Sequence, residues 1–222
     1  MDRISLARTI RISGIRAAIF DMDGTIVDNT HYHERAWREF LRRHGVQLSE
    51  SNLQDLLSGR RTDQVIPLIL GDRMNRTQLA ACADEKESIY REMHAGRVRE
   101  VKGLRGVLDQ LKQRGLMLGI ATASPQKNRE LVLRELGVED VFDVVLGEEH
   151  GKAKPDPEIF LKTAEKLVVA PRACLVFEDS PVGVEAARRA GMKVVGLSTS
   201  HSKTELAGAD IVVANFTQLT LT

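Results

Sequence analysis

The chain has 222 residues, 42% of them hydrophobic and 28% charged, which is enough apolar material for a packed core and excludes the composition of a disordered chain. Lys and Arg number 32 against 31 Asp and Glu, so the formal charge of +1 gives no electrostatic footprint for nucleic acid, and no apolar run reaches the ~18 residues of a membrane span. Two cysteines, Cys82 and Cys174, exclude a disulfide framework and a cysteine zinc site, and fit a reducing, cytoplasmic setting.

The first residues carry Arg3, Arg8, Arg11 and Arg16 with no apolar stretch, so they read as a solvated N-terminal extension over 1–15, with a weak organelle transit peptide as the alternative. The apolar run Ala17 to Phe20 stops abruptly at acidic residues and Gly24, as a buried parallel strand does where it meets a loop. From 31 to 97 the period changes. Trp37, Phe40 and Leu41, then Leu53, Leu56 and Leu57, then Val65, Ile66, Leu68 and Ile69 recur at helical spacing, with breaks at Gly45, Ser58-Gly59 and Gly71. A longer helix is predicted from Thr77 as N-cap to Met93. After Gly103, helix and strand alternate: helix Leu104 to Arg114, strand Met117 to Ala121, helix Gln126 to Leu136 and strand Val141 to Leu146. Helix Pro157 to Lys166, strand Cys174 to Phe177, helix Val182 to Ala190, then strands Lys193 to Leu197 and Ile211 to Val213 complete the series. Strict alternation implies an α/β fold, a doubly wound parallel sheet that includes the first strand. The helical block is then an insertion, giving a core of 16–30 with 98–222 and a helical cap of 31–97.

In an open parallel sheet, ligands bind outside the carboxyl ends of the strands. At the end of the first strand, Asp21-Met22-Asp23-Gly24-Thr25 places two acids on one side of an extended segment before a glycine turn. Converging carboxylates call for a cation or a shared proton, although a solvated acidic loop has the same pattern. Glu178-Asp179 follows another strand in the same way. Four carboxylates at one sheet edge suit Mg²⁺, with helix N-capping by Asp179 or Ser180 as the plainer reading. Thr122-Ala123-Ser124-Pro125 ends a third strand with hydroxyls and backbone N–H groups, which suits either an anion or an ordinary N-cap. Lys154 stands on the stiff Lys154-Pro155-Asp156-Pro157 stem, fit to neutralise a phosphoryl oxygen or to be a surface lysine.

Taken together and in this order, these four stations resemble the haloacid-dehalogenase superfamily of phosphotransferases, from about Arg16 to Thr217. The resemblance implies a Rossmann-like core with a helical cap, of the β-phosphoglucomutase-like branch. It implies Asp21 as nucleophile, Asp23 as general acid/base, and Thr122, the Ala123 N–H and Lys154 as phosphate holders. Asp21, Asp23, Asp179 and Glu178 are the implied Mg²⁺ residues, with Glu178 in direct contact or behind the ligands. In the cap, His33 and Lys86 match residues of that branch, and Gly59, Arg60 and Arg61 form a candidate distal anion site. Their plainer readings are a helix histidine and a solvated helix lysine.

Two departures from the mutases stand out. The mutase cap loop has an arginine where Thr62 stands, and the Gly59-Arg60-Arg61-Thr62 loop is more like those of sugar-phosphate phosphatases. The mutase Ser-Lys-Asn after the second motif is Ser124-Pro125-Gln126 here. The reading is therefore a Mg²⁺-dependent phosphatase of a sugar or polyol phosphate, with β-phosphoglucomutase as the alternative and a pyrophosphatase or dehalogenase behind it. A dehalogenase needs neither Asp23 nor a magnesium site, and a receiver-like module has no cap. The expected partner is a small phosphorylated metabolite, with no nucleic acid or membrane, on a monomer or weak homodimer.

Overall fold

The computed structural model describes residues 7–57 and 61–222. In chain order the elements are β1 (Arg8–Ile10), β2 (Ala17–Phe20), α1 (Thr30–Arg43), α2 (Glu50–Leu57), α3 (Thr62–Leu70) and α4 (Arg76–His94). They continue with α5 (Leu104–Gln113), β3 (Met117–Ala121), α6 (Gln126–Leu136), β4 (Val144–Leu146), α7 (Glu158–Lys166) and β5 (Cys174–Glu178). The last are α8 (Pro181–Arg189), β6 (Lys193–Leu197), β7 (Ile211–Val213) and β8 (Leu219–Leu221). The chain divides into two compact units, Met1–Asp28 with Val98–Thr222, and Asn29–Arg97.

The first unit holds a six-stranded sheet in the order β4-β3-β2-β5-β6-β7, with every neighbouring pair parallel. The side-chain period of two divides β2 between two cores. Ala18 and Phe20 pack with Leu104, Leu108, Val132 and Leu136 of α5 and α6, whereas Ala17 and Ile19 pack with Phe160 and Ala164 of α7 and Val184 and Ala187 of α8. Helices cover both faces, which is why β2 is apolar throughout rather than alternating. Phe20 stacks on Phe177 of β5, with ring centroids 4.5 Å apart. Strand order reverses on either side of β2, so the carboxyl ends of β3, β2 and β5 lie side by side at the sheet's switch point, and this adjacency positions the site.

Several details differ from the sequence reading. Arg8–Ile10 does not lie in a solvated extension. It pairs in parallel with β8, Ile10 and Leu221 are buried, and Ile12 N–H donates to Thr222 O at 2.7 Å. The strand expected from Val141 begins at Val144, because the Asp143 carboxylate takes the Leu118 N–H at 2.7 Å in place of a backbone carbonyl. In the second unit α4 starts one residue before the expected cap: Asn75 accepts from Gln78 N and Gln78 Oε1 accepts from Asn75 N, a capping box that Thr77 cannot make. Strand β5 also runs through Glu178, one residue beyond the expected end.

The second unit is all helix. Trp37, Phe40 and Leu41 of α1 pack with Val65 and Ile66 of α3 and Ile89 and Tyr90 of α4, the periodic residues of the sequence.

Candidate active site

Strand β2 delivers the first acids. Asp21 N–H extends the ladder by one bond, donating to Phe177 O at 2.9 Å, and the chain then folds over Met22, whose carbonyl accepts from Thr25, Ile26 and Val27. Met22 is buried in the α5–α6 core, and the residues flanking it meet polar partners instead. Gly24 has φ +72°, and a Cβ there would fall on the Asp179 carboxylate, so only glycine allows this turn to approach β5 so closely.

Lys154 organises the centre. Its ammonium lies 2.6 Å from Asp21 Oδ1, 2.6 Å from Glu178 Oε1 and 3.2 Å from Ala121 O, and all three of its donors are thereby used. Glu178 is the most occupied acid. Its Oε2 accepts from Asp179 N, Ser180 N and Ser180 Oγ, each at 2.9 Å, while Gly183 leaves the room that α8 needs to reach that carboxylate. Asp179 accepts from Thr25 Oγ1 at 3.4 Å and from the Ser200 hydroxyl. Asp23 accepts from the Ser124 hydroxyl.

The second motif stands beside them. Thr122 is buried, its N–H donates to Leu146 O, and its Oγ1 accepts from Ser124 N at 3.1 Å. The plain N-cap reading does not describe this turn, because Pro125 occupies the N-cap of α6 and neither hydroxyl caps it. Ala123 is exposed, and its N–H has no hydrogen-bond partner among the described residues. Arg129 ties the turn down, donating to Ser124 O at 2.6 Å and bidentately to Glu149, with Gly147 leaving space for its guanidinium.

Four carboxylates therefore gather at one sheet edge around a single ammonium, two of them in contact with it. Asp21 is pushed up from the ordinary 3.8 to about 7, by burial first, with Lys154 opposing and Glu178 and Asp23 adding repulsion. Burial, then Glu178 and Asp21, hold Asp179 well above the usual carboxylate range. Burial alone would lower Lys154, but Asp21 and Glu178 raise it above an ordinary lysine, so it stays charged. The excess of buried negative charge and the all-oxygen donor set fit a hard divalent cation. Among the described residues no three His, Cys, Asp or Glu side chains form a ready-made cage. Magnesium does not require one, since it keeps several waters and binds through one or two carboxylates plus phosphate.

In the helical unit, His33 Nδ1 lies 3.0 Å from Lys86 Nζ, and Thr62 Oγ1 donates to Glu87 at 2.6 Å. Arg61 pairs with Asp63 at 3.2 Å, whereas Gly59 and Arg60 lie outside the described residues.

Sequence reasoning passed over Ser124, Thr25, Arg129, Glu149 and Ser200 as partners of the acids or of the second-motif turn. Thr25 and Ser124 lie inside quoted motifs and had a local signal. Ser200 had none, because it belongs to the loop after β6 and meets Asp179 only through the β5–β6 pairing.

Residues 15–191 match the haloacid dehalogenase-like hydrolase family. The chain is 32% identical to validoxylamine A 7'-phosphate phosphatase of Streptomyces hygroscopicus subsp. limoneus, over 92% of this chain and 95% of that protein. It is 36% identical to the fructose-1-phosphate phosphatase of Escherichia coli, over 80% and 93%. The crystal structure of β-phosphoglucomutase from Clostridium difficile superposes with a TM-score of 0.81 at 30% identity, covering 93% of each chain. The edge of β2, β3 and β5 thus carries its acids, hydroxyls and lysine on a chain that belongs to the haloacid dehalogenase-like hydrolases.

Proposed function

We propose that this chain is a Mg²⁺-dependent phosphatase that hydrolyses a small sugar or polyol phosphate through an aspartyl-phosphate on Asp21. The observation that carries the reading is the ammonium of Lys154 held 2.6 Å from both Asp21 and Glu178, beside Asp23 on Ser124 and the exposed Ala123 N–H. That arrangement presents a nucleophile, a second acid and fixed positive donors on one edge, which is what in-line phosphoryl transfer requires.

In the first half-reaction an Asp21 oxygen forms a bond to phosphorus, the ester P–O bond breaks, and Asp23 gives its proton to the leaving oxygen. In the second, water attacks the same phosphorus, Asp23 takes its proton, and the bond to Asp21 breaks. Thr122, the Ala123 N–H and Lys154 hold the non-bridging oxygens, and Glu178 orients the ammonium. Haloacid-dehalogenase-type phosphatases generally use Mg²⁺, and Asp21, the Asp23 carbonyl and Asp179 would hold it here, with Glu178 behind them. Bound there, Mg²⁺ supplies the charge neutralisation that lets a phosphate dianion approach these acids. Substrate choice belongs to the helical unit, through His33, Lys86 and the loop at Arg61. No helix among the described residues is long and apolar enough to cross a membrane; a cytoplasmic setting is part of the proposal.

The test incubates the protein and its Asp21→Asn variant with Mg²⁺ and a panel of sugar phosphates, polyol phosphates, nucleotides and pyrophosphate, following free phosphate. Phosphate release that disappears with Asp21→Asn is the expected result, and release that survives the substitution refutes the reading. A second reading, β-phosphoglucomutase, is favoured by the His33–Lys86 contact, since both residues match that branch. It predicts glucose 6-phosphate from β-glucose 1-phosphate without stoichiometric phosphate.

A further inference from the structure

Ser124 is held at three points, and one of them depends on a charged pair set back from the acids. Its hydroxyl donates to Asp23, its N–H donates to Thr122 Oγ1 at 3.1 Å, and its carbonyl accepts from Arg129 Nη1 at 2.6 Å. Arg129 stands near the start of α6, and a long helical side chain points back toward the helix N-terminus, here at the turn that precedes the helix. Glu149 lies in the short turn after β4. The β3–β4 pairing sets that turn beside Ser124, and Thr122 N–H continues the pairing to Leu146 O at 3.1 Å. Glu149 then fixes the guanidinium, taking Nη1 on Oε2 at 3.0 Å and Nη2 on Oε1. A Cβ at Gly147 would fall 1.4 Å from Nη1, so glycine is what admits the guanidinium here.

The Arg129 side chain is 7% exposed and that of Glu149 is 46% exposed. Burying a guanidinium costs free energy even when it is paired, and such a pair roughly breaks even in stability. Its effect here is geometric. A carboxylate on a turn can rotate about its last torsion, and a hydroxyl fixed against one of its oxygens removes that freedom. We propose that Arg129 is a positioning residue for the acid/base: backed by Glu149, it fixes the Ser124 backbone so that the Ser124 hydroxyl keeps Asp23 oriented for proton transfer to the leaving oxygen. The inference rests on the preceding reading, in which Asp23 protonates that oxygen.

The test compares kcat/KM of the full chain for p-nitrophenyl phosphate, whose phenolate departs without a proton, and for an alkyl ester, whose alkoxide needs one. The alkyl ester is glucose 6-phosphate, fructose 1-phosphate or glycerol 3-phosphate, whichever the wild type turns over fastest. Arg129→Met raises the ratio of aryl to alkyl kcat/KM at least about tenfold, because orientation of the general acid matters only where a proton is given. A general loss of folding or of phosphate binding lowers both values and cancels in the ratio. Ser124→Ala raises the ratio similarly, and adding Arg129→Met to it raises it no more than about twofold further, since the arginine acts through the serine. An unchanged ratio in Arg129→Met, or effects of the two substitutions that multiply, overturns the inference and leaves the phosphatase reading standing. A wild type that releases no phosphate from any of the three alkyl esters refutes that reading, and this inference falls with it. Thermal melts check folding. Should Arg129→Met fail to fold, Glu149→Gln, which loosens the anchor of the guanidinium from its half-exposed side, is expected to raise the ratio at least about threefold, and an unchanged ratio there refutes the proposal.

Discussion

Lys154→Met keeps the stem of the side chain and deletes the ammonium 2.6 Å from Asp21 and from Glu178, where all three side chains are under a tenth exposed. Removing one partner of a buried ion pair costs about 3–5 kcal/mol, because the charge left behind has neither water nor a counter-ion. Here two carboxylates remain, and the folded chain relieves part of that cost by retaining a proton. Asp21, raised from 3.8 to about 7 by burial first and with Lys154 opposing the rise, climbs further when the ammonium is gone. A group with a raised folded pKa stabilises the fold fully below its unfolded value, and that contribution is lost as pH rises through the folded value. In the wild type the loss runs from the ordinary 3.8 to about 7 and then ends, whereas in the variant it continues. From about pH 7 to pH 8.5 the two stabilities therefore diverge by about 1.4 kcal/mol per unit, or about 2 kcal/mol in all. Urea denaturation in metal-free buffer at about pH 6 and about pH 8.5 measures this directly. A destabilisation below about 1 kcal/mol, or one that shrinks at the higher pH, refutes the claim that Lys154 is what allows these acids to be buried together.

Gly24→Ala places a Cβ on the Asp179 carboxylate and a side chain at φ +72°. The strain alone costs about 1–2 kcal/mol, and displacement of Asp179 raises the Mg²⁺ concentration for half-maximal phosphate release by at least about tenfold; an unchanged magnesium titration counts against the assignment of Asp179. Val168 is a β-branched residue at φ +56° with 85% of its surface exposed, so Val168→Gly gives up little packing and removes backbone strain. Against the extra chain entropy of glycine the net gain is about 1 kcal/mol, seen as a thermal midpoint higher by a few degrees, and a lower midpoint contradicts it.

Much of the fold was legible because its signals are local. The apolar run of β2, the alternation after Gly103 and the periodic Trp37, Phe40 and Leu41 each report a covered face, and burial of those faces is what makes the elements form. The site's stations were legible for a related reason. Asp21, Thr122 and Glu178-Asp179 stand at strand ends in sequence, which an open parallel sheet brings to one edge, whereas Lys154 comes from the loop before α7 and was marked by its proline-stiffened stem. The start of α4 was missed although its Asn75–Gln78 capping box is local, and two other differences arose where a partner distant in sequence decides. Arg8–Ile10 is a strand only because β8 lies beside it, and β4 is short because Asp143 takes the Leu118 N–H.

What the sequence by itself determined was the order of elements and the residue types at each strand end, since hydrophobic period and turn chemistry act within a few residues. Only the tertiary structure decided how those groups are paired and charged. It sets Lys154 between Asp21 and Glu178, gives Asp179 to Ser200, and places Lys86 against Glu87, His33 and two aromatic rings. Burial and the distance between charges set pKa, and both depend on which remote segments the fold packs together.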